Sequence, residues 1–485
     1  MNDLKPATAV EIEQNNYKLD AVARFLSPRT ALSLLALVVL FAAVFIQFVL
    51  GSFTLFLFAG ALVALCFAIS FHPQVLLAML LIRPVLGALP ELSIAGRQIG
   101  IDGVLNIGIT AAFMLVLLVK RPVPWRLPVF YVAAGFLLVT LWSLRLSTDQ
   151  FLGFRQWFRF LGYIVYFCMA YTLAANDTAY TRKLMLAVAV LALIMLSMGV
   201  LQMGLLLREF SFSEYVRLMF EPGLENRLDG FQKYPHAYGD LMLLCAPILL
   251  SLATGTERLR LKYLYYALAG SCITAALVTG VRTTFVALTA TLLLFLILER
   301  KYKTIVSLGV LVAAVGLLTG IFQARFDDLI NPKRAPEWDS MEDRREIWFV
   351  VDRAIAQRPL TGYGLGSVTQ FVSMSPLRSN ILALSSHCDY RKFAFAAGLP
   401  GMFLFISMWV SLLLTLFFMQ KRGPAHASLS AALIGVGVGF MLTAMVNEFM
   451  QDYASNAMFW SLAGAAIGTS APLSEAHLER NNQTC

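Results

Sequence analysis

Apolar runs of 17 residues or more recur along this chain from residue 31 to residue 469. Each is long enough for a helix to cross roughly 30 Å of hydrocarbon, and no other feature narrows the possible folds as far. The composition agrees: 59% of the residues are hydrophobic and 14% charged, with a mean hydropathy of +0.72. A soluble surface of this size needs far more charge. The chain therefore reads as an all-α polytopic membrane protein. Spans are expected near 31–49, 52–70, 74–90, 103–119, 127–144, 157–174, 184–206, 237–253, 263–280, 283–298, 304–322, 396–419, 428–446 and 455–469. The short first pairs have the length of re-entrant segments too, so the expected total is twelve to fourteen helices. Residues 1–30 are polar and lack a short apolar core with a cleavage site, so no cleaved signal peptide is expected.

The connections fix an orientation. "KRPVPWR", "TRK", "ERLRLK", "ERKYK" and "QKR" are short and basic, and by the positive-inside rule they belong in the cytoplasm, as do residues 1–30 and the tail 470–485. The transmembrane domain is then 31–469, with the large outer loops near 207–236 and 323–395 and a shorter one at 447–454. This topology accounts for most of the net charge of +9 without nucleic acid. Cysteines fall mostly inside spans, and no CxxC spacing suggests a zinc or redox site.

Outer loops are normally poor in arginine, yet Arg227, Arg344, Arg345, Arg358 and Arg391 lie in them, and Arg282 sits at the outer end of a span in "TGVRTTFVAL". Ionisable groups close to the hydrocarbon are costly and by default mark a site. The middle of 323–395 reads as an amphipathic helix. Ser340 with Asp343 resembles a capping box, Ile347, Trp348, Val350, Val351, Ala354 and Ile355 share a face, and Pro359 ends it. At 100° per residue Arg344 projects onto the apolar face and Arg345 away from it. Two readings of Arg344 stand: a ligand contact, or a basic side chain snorkelling at the interface.

Several chemistries drop out. "GYGLG" at 362–366 follows a helix and a proline rather than a strand and lacks a GK[ST], so a bare turn is the better reading than a phosphate loop. No HExxH, GxSxG or paired-histidine metal motif occurs, and no metal or cofactor is expected. What remains is a set of arginines and a histidine on the outer side. Guanidinium groups bind phosphate oxygens bidentately and stay charged in a dry site. A departing lipid diphosphate gains negative charge as its bond to sugar breaks, so fixed cations favour that transition state. Histidine is the natural base for an attacking hydroxyl. Only His236 and His387 fall on the outer side. His387 precedes a span directly; it is either that base or an interfacial histidine, and His236 is either a site residue or a helix cap. Arg155 and Arg159, in "FRQWFRF", either add charge to the same cavity or anchor the interface, with anchoring favoured.

Four segments together resemble the superfamily of O-antigen ligases and Wzy-type O-antigen polymerases, bacterial inner-membrane glycan transferases. They are "RLDGFQKYPHAYGDLMLL" (227–244), "TGVRTTFVALTATLLLFL" (279–296), "RREIWFVVDRAIAQRPLTGYGLGS" (344–367) and "HCDYRKFAFAAGLPG" (387–401). Arg282 and Arg344 fall in register with the family's arginines and His387 with its closing histidine. His236, Val281, Cys388 and Ala396 depart from the usual Asn, Ser, Asn and acidic residue. The resemblance implies a GT-C-like fold and a metal-independent transferase at the periplasmic face, with undecaprenyl-diphosphate-linked glycan as donor. It implies that Arg282, Arg344 and Arg227 hold the diphosphate and that His387 activates the acceptor hydroxyl, with Asp389, Tyr390 and Arg391 as further contacts. The acceptor is another lipid-linked glycan in a polymerase or lipid A–core in a ligase; the long 323–395 loop favours polymerase, and such an enzyme is open to a chain-length regulator as partner. A lipid-linked oligosaccharide flippase is the rival from another class. It would place charges mid-span, as Arg83 does here, whereas the other basic residues gather on the outer side.

Overall fold

The computed structural model describes residues 127–209, 228–230, 232, 234–301, 340–374, 386–420 and 424–470, with scattered positions between 76 and 117; for 92–94, 97–99, 340–343 and 424–426 it describes backbone alone. Expectations for the spans 31–49, 52–70 and 304–322, for Arg227, for most of the 207–236 and 323–339 loops, for the capping side chains of Ser340 and Asp343, and for the two termini lie outside the described residues.

The described chain is a helical bundle, as an all-α polytopic membrane protein requires. Its helices are α1 (Pro128–Ser143), α2 (Gln150–Asn176), α3 (Ala179–Glu209), α4 (Pro235–Thr254), α5 (Leu259–Val278), α6 (Arg282–Leu298), α7 (Ser340–Gln357), α8 (Val368–Ser373), α9 (Asp389–Gln420), α10 (Pro424–Thr443) and α11 (Tyr453–Thr469). Among the described residues six helical stretches are long and apolar enough to cross a membrane: Pro128–Leu146, Gln150–Asn176, Ala179–Arg208, Pro235–Thr254, Leu259–Val278 and Asp389–Gln420. The short departure from helix is an antiparallel hairpin of β1 (Leu92–Ile94) and β2 (Arg97–Ile99), in register Leu92↔Ile99 and Ile94↔Arg97.

Local chemistry starts these helices where it should. Pro128 and Pro235 occupy first-turn positions that need no N–H donor. Asp149 caps α2, its carboxylate accepting from the Leu152 amide at 3.0 Å. The "TRK" segment is a correction of detail: Arg182 and Lys183 lie in the first turns of α3, and the turn between α2 and α3 is only Asp177–Thr178.

With no solvent to drive helices together inside a bilayer, packing relies on small residues that let backbones approach. Gly435 and Gly439, one GxxxG step apart on α10, lie against α6. A Cβ at Gly435 would meet the Thr291 carbonyl oxygen at 2.6 Å, and the Thr291 hydroxyl donates to the Gly435 carbonyl at 3.1 Å. Gly464 and Gly468 seat α11 against Phe167 and Tyr171 of α2 in the same way. The surface outside is apolar: Leu138, Val200, Leu201, Phe403 and Phe418 are all more than half exposed, as lipid-facing residues are.

The N-termini of α2, α4, α6, α9 and α11 lie at one end of the bundle, and α1, α5 and α10 end beside them. This end of the bundle therefore collects several helix N-termini, a setting that favours anions.

Candidate active site

The last wide apolar helix is not continuous. Within α9, Ala397 (φ −127°) and Gly398 (φ +71°, ψ −179°) leave the helical region. A break in a membrane helix is tolerable only where other groups take over the freed backbone partners. Here the "GYGLG" turn does so. Tyr363 N donates to the Phe395 carbonyl at 2.8 Å, Gly364 N to the Ala396 carbonyl at 2.9 Å, and Leu399 N to the Pro359 carbonyl at 2.7 Å. Gly362, Gly364 and Gly366 have φ of +67°, +96° and +94°, a region open to glycine at little cost. The turn is thus a backbone clamp on α9.

α7 leads into that clamp and is amphipathic as its spacing predicts. Ile347, Val351 and Ala354 are buried with Val368, Val372 and Phe395, while Arg345 points outward and Arg344 is half-buried. Burial draws the Arg344 pKa down from its ordinary value, yet a guanidinium stays charged under such a shift. The other end of α7 is fastened to the turn that precedes α9. Trp348 Nε1 donates to the Ser386 carbonyl at 3.0 Å. Arg391 pairs with Asp352, Nε to Oδ1 at 2.9 Å and Nη2 to Oδ2 at 3.3 Å, and lies 4.4 Å over the Trp348 ring.

His387 stands on this turn with φ +48°. A non-glycine residue in that region is uncommon and costs about 1–3 kcal/mol, so its surroundings must hold it there. They do. Glu448 Oε1 accepts from Ser386 N at 2.7 Å and from Ser386 Oγ at 2.8 Å. Its Oε2 accepts from Lys392 Nζ at 2.7 Å in a pair only 2% and 6% exposed, and Gln451 Nε2 also donates to it. Asp389 N donates to the Ala444 carbonyl at 2.9 Å, and Asp389 Oδ2 accepts from Met450 N at 2.8 Å. The His387 turn is therefore bound on both sides to residues 444–451.

The same segment reaches Arg282. Asn447 Nδ2 donates to Thr283 Oγ1 at 3.2 Å, which places the first turn of α6, with Arg282 at its start, beside residues 447–448. The first turn of α4 lies against that of α6, since a Cβ at Gly239 would meet the Thr284 side chain at 2.8 Å. His236 closes the circuit. It stacks on Tyr234 at 5.2 Å and lies within electrostatic range of both Arg344 and His387. Four elements distant in sequence thus converge: α4 with His236, α6 with Arg282, α7 with Arg344, and the turn before α9 with His387.

The other predicted side chains have identifiable protein partners. Asp389 is fully buried against Met450. Tyr390 donates its hydroxyl to the Met441 carbonyl at 2.9 Å. Arg391 is engaged by Asp352 and Trp348. Arg159 donates to the Gln451 carbonyl at 3.1 Å, and Arg155 is half-buried one turn earlier. Arg227 lies outside the described residues, but its neighbour Leu228 is buried, and the amides of Asp229 and Gly230 donate to Gln202 Oε1 at 3.1 and 2.8 Å. Among the described residues no group of three or more His, Cys, Asp and Glu side chains is gathered as metal ligands are.

Sequence reasoning missed Asn447 and Glu448, and it noted Lys392 in the polar cluster before the span without finding its partner. The signal was present: a lysine inside an apolar helix start and a glutamate in a short interhelical loop need each other if neither is to be a lone buried charge.

Comparison with known families gives one result. Residues 266–406 match the O-antigen ligase family model, a stretch that runs from α5 to α9 and contains Arg282, Arg344 and His387. No curated protein matches the chain. The match supports glycan transfer of the ligase and polymerase type by a multi-pass membrane protein, and it supports the resemblance of this chain to the O-antigen ligase and polymerase superfamily.

Proposed function

We propose that the protein transfers a glycan from undecaprenyl diphosphate to an acceptor sugar hydroxyl at the periplasmic face of the bacterial inner membrane, without a metal and with inversion at the anomeric carbon. The observation that carries this reading is the convergence of α7 and the turn before α9 on the start of α4, with Arg344 and His387 each within electrostatic range of His236. The reach of Asn447 to Thr283, next to Arg282, supports it.

The acceptor O–H gives its proton to the His387 imidazole as its oxygen attacks the anomeric carbon. The bond from that carbon to the diphosphate oxygen breaks, and the lipid diphosphate leaves with the electron pair. Arg282 at the α6 N-terminus and Arg344 meet the charge that grows on the phosphate oxygens, with Arg227 in support. Two guanidiniums and adjacent helix N-termini act on the leaving group more strongly than on the bound donor, which is the condition for rate enhancement. Asp389, Tyr390 and Arg391 position the His387 turn and α7 rather than touch sugar. Arg159 and Arg155 anchor the start of α2.

Polymerisation of O-antigen or exopolysaccharide repeat units is the favoured outcome; ligation to lipid A–core differs only in the acceptor. Purified protein in nanodiscs is incubated with lipid-linked repeat units, with and without lipid A–core. A ladder on lipid alone identifies a polymerase, and product only with core identifies a ligase. His387→Ala and Arg282→Ala are each expected to cut turnover at least a hundredfold, the scale on which general-base and oxyanion contacts act. Near-normal turnover by either variant refutes the assignment.

A further inference from the structure

A second feature at the outer end of the bundle lies apart from the arginine–histidine cluster. An open cleft of about 930 Å³ is lined by Ser147–Leu152 at the start of α2 and by Gly366, Thr369, Gln370 and Ser373 on and before α8. Short as it is, α8 is two-sided. Val368 and Val372 are buried against α7 and Phe395, whereas Thr369, Gln370 and Ser373, at i, i+1 and i+4, face the cleft.

The walls are fixed to each other. Thr148 N donates to Ser367 Oγ at 2.9 Å, and a Cβ at Gly366 would sit 2.6 Å from Gly153 N and 2.7 Å from the Asp149 carbonyl oxygen. The cleft is therefore preformed. Its lining chemistry is specific: hydroxyls from Thr148, Thr369 and Ser373, amides from Gln150 and Gln370, one carboxylate at Asp149, and the partly exposed ring of Phe151. Among the described residues no Lys or Arg lines the cleft, and these walls offer none of the cations that phosphate needs. Many short donors and acceptors around one aromatic ring, in an open trough, suit a neutral polyol.

The geometry points to a glycan-binding subsite, separate from the reacting bond, that takes neutral sugars of a bound chain. This deepens the reading under Proposed function and rests on it for the identity of the chain. α8 stands between α7, which carries Arg344, and the cleft. A glycan whose reactive end lies at the Arg344–His387 cluster would have to pass α8 to reach the trough, so the subsite engages sugars some distance from the scissile bond and not the reacting residue itself.

The test uses the full chain in nanodiscs and, as probe, the free oligosaccharide repeat unit released by mild acid from the lipid-linked donor. Binding is read by saturation-transfer NMR, which needs no turnover. Gln370→Ala and Ser373→Trp alter exposed positions that face the cleft. Each is expected to weaken binding about tenfold, the scale of one or two lost hydrogen bonds, while inorganic pyrophosphate leaves binding unchanged. In the transfer assay, Ser373→Trp that shortens the products without slowing the first transfer assigns the cleft to the growing chain. A slowed first transfer assigns it to the single repeat unit. Absence of oligosaccharide binding at millimolar concentration, equal binding by the variants, or displacement by pyrophosphate overturns the subsite. His387→Ala that keeps full turnover while the cleft variants lose binding sinks the proposed reaction and leaves the subsite standing.

Discussion

Removing the carboxylate of Glu448 while keeping its shape, as Glu448→Gln, isolates what the buried pair does. In the native protein Lys392 and Glu448 are 2% and 6% exposed and 2.7 Å apart. Glu448 also accepts both donors of Ser386. Breaking one partner of a buried pair costs about 3–5 kcal/mol, because the other is left as an uncompensated charge. The carboxamide oxygen can still accept from Ser386, so the glutamine variant is expected near the lower end, about 3 kcal/mol. Lys392→Met is expected to be worse, since it leaves Asp389 and Glu448 buried together without a cation. The double variant restores charge balance around the site and is expected within about 1 kcal/mol of wild type, a coupling of about 5 kcal/mol. Equilibrium unfolding by SDS in mixed micelles measures all four proteins. pH gives an independent check. Burial alone would raise the Glu448 pKa, but the Lys392 ammonium and the Ser386 donors outweigh it and hold the carboxyl below its ordinary 4.5. A depressed folded pKa contributes stability that is fully present above the unfolded value and is lost as pH falls through the folded one. The gap between wild type and Glu448→Gln should therefore close below about pH 4.5. Additive single costs, or a glutamine variant within about 0.5 kcal/mol of wild type, would refute the reasoning.

Two further outcomes follow from the same end of the molecule. Gly398→Ala puts a Cβ 2.5 Å from the Leu360 carbonyl carbon and oxygen at a φ of +71°; the expected loss is more than about 2 kcal/mol, and unchanged unfolding would show that the α9 break is not held by the clamp. Burial pushes Asp452 up to about 6 from 3.8, so this carboxyl lowers stability as pH rises from about 4 to 6, after which its effect is constant. Asp452→Asn should gain on the order of 2 kcal/mol at pH 7.5 and flatten that dependence; equal unfolding of the two proteins at pH 7.5 contradicts it.

The spans were legible because hydrophobic length is a local property. The run 127–144 became α1 at Pro128–Ser143, 263–280 became α5 at Leu259–Val278, and the amphipathic stretch after Ser340 became α7 ending at Gln357. The inward projection of Arg344 was equally readable, since it needs only the 3.6-residue period. What could not be read is what long-range contact decides. Nothing in "SSHCDY" specifies a positive φ at His387; it follows from Glu448 holding Ser386 from 62 residues away. Likewise "GYGLG" reads as a turn, but its role becomes visible only when α9 opens and offers it the Phe395 and Ala396 carbonyls. The family resemblance put Arg391 and Asp389 among the substrate contacts. Their partners, Asp352 and Met450, come from another helix and another loop.

The break in α9 explains how a polar cluster can be held still at the edge of a bilayer. A straight helix from Asp389 to Gln420 would leave α7 attached on one side of the break only, through Trp348 to Ser386 and Asp352 to Arg391. By opening at Ala397–Gly398, α9 supplies two free carbonyls, and the segment that follows α7 takes them up. α7 is then fastened to α9 at both ends, and Arg344 and His387 move as parts of one body although neither needs to touch the other. Arg282 is coupled to that body through Asn447 and Glu448, which bond to Thr283 and Ser386 on either side. Catalysis by placed charges depends on such rigidity, because a cation free to follow its anion stabilises ground state and transition state alike. The buried Lys392–Glu448 pair is weak as a source of stability beside an apolar replacement. Its strength is direction: charge-assisted hydrogen bonds fix how the His387 turn points, which apolar packing alone would not.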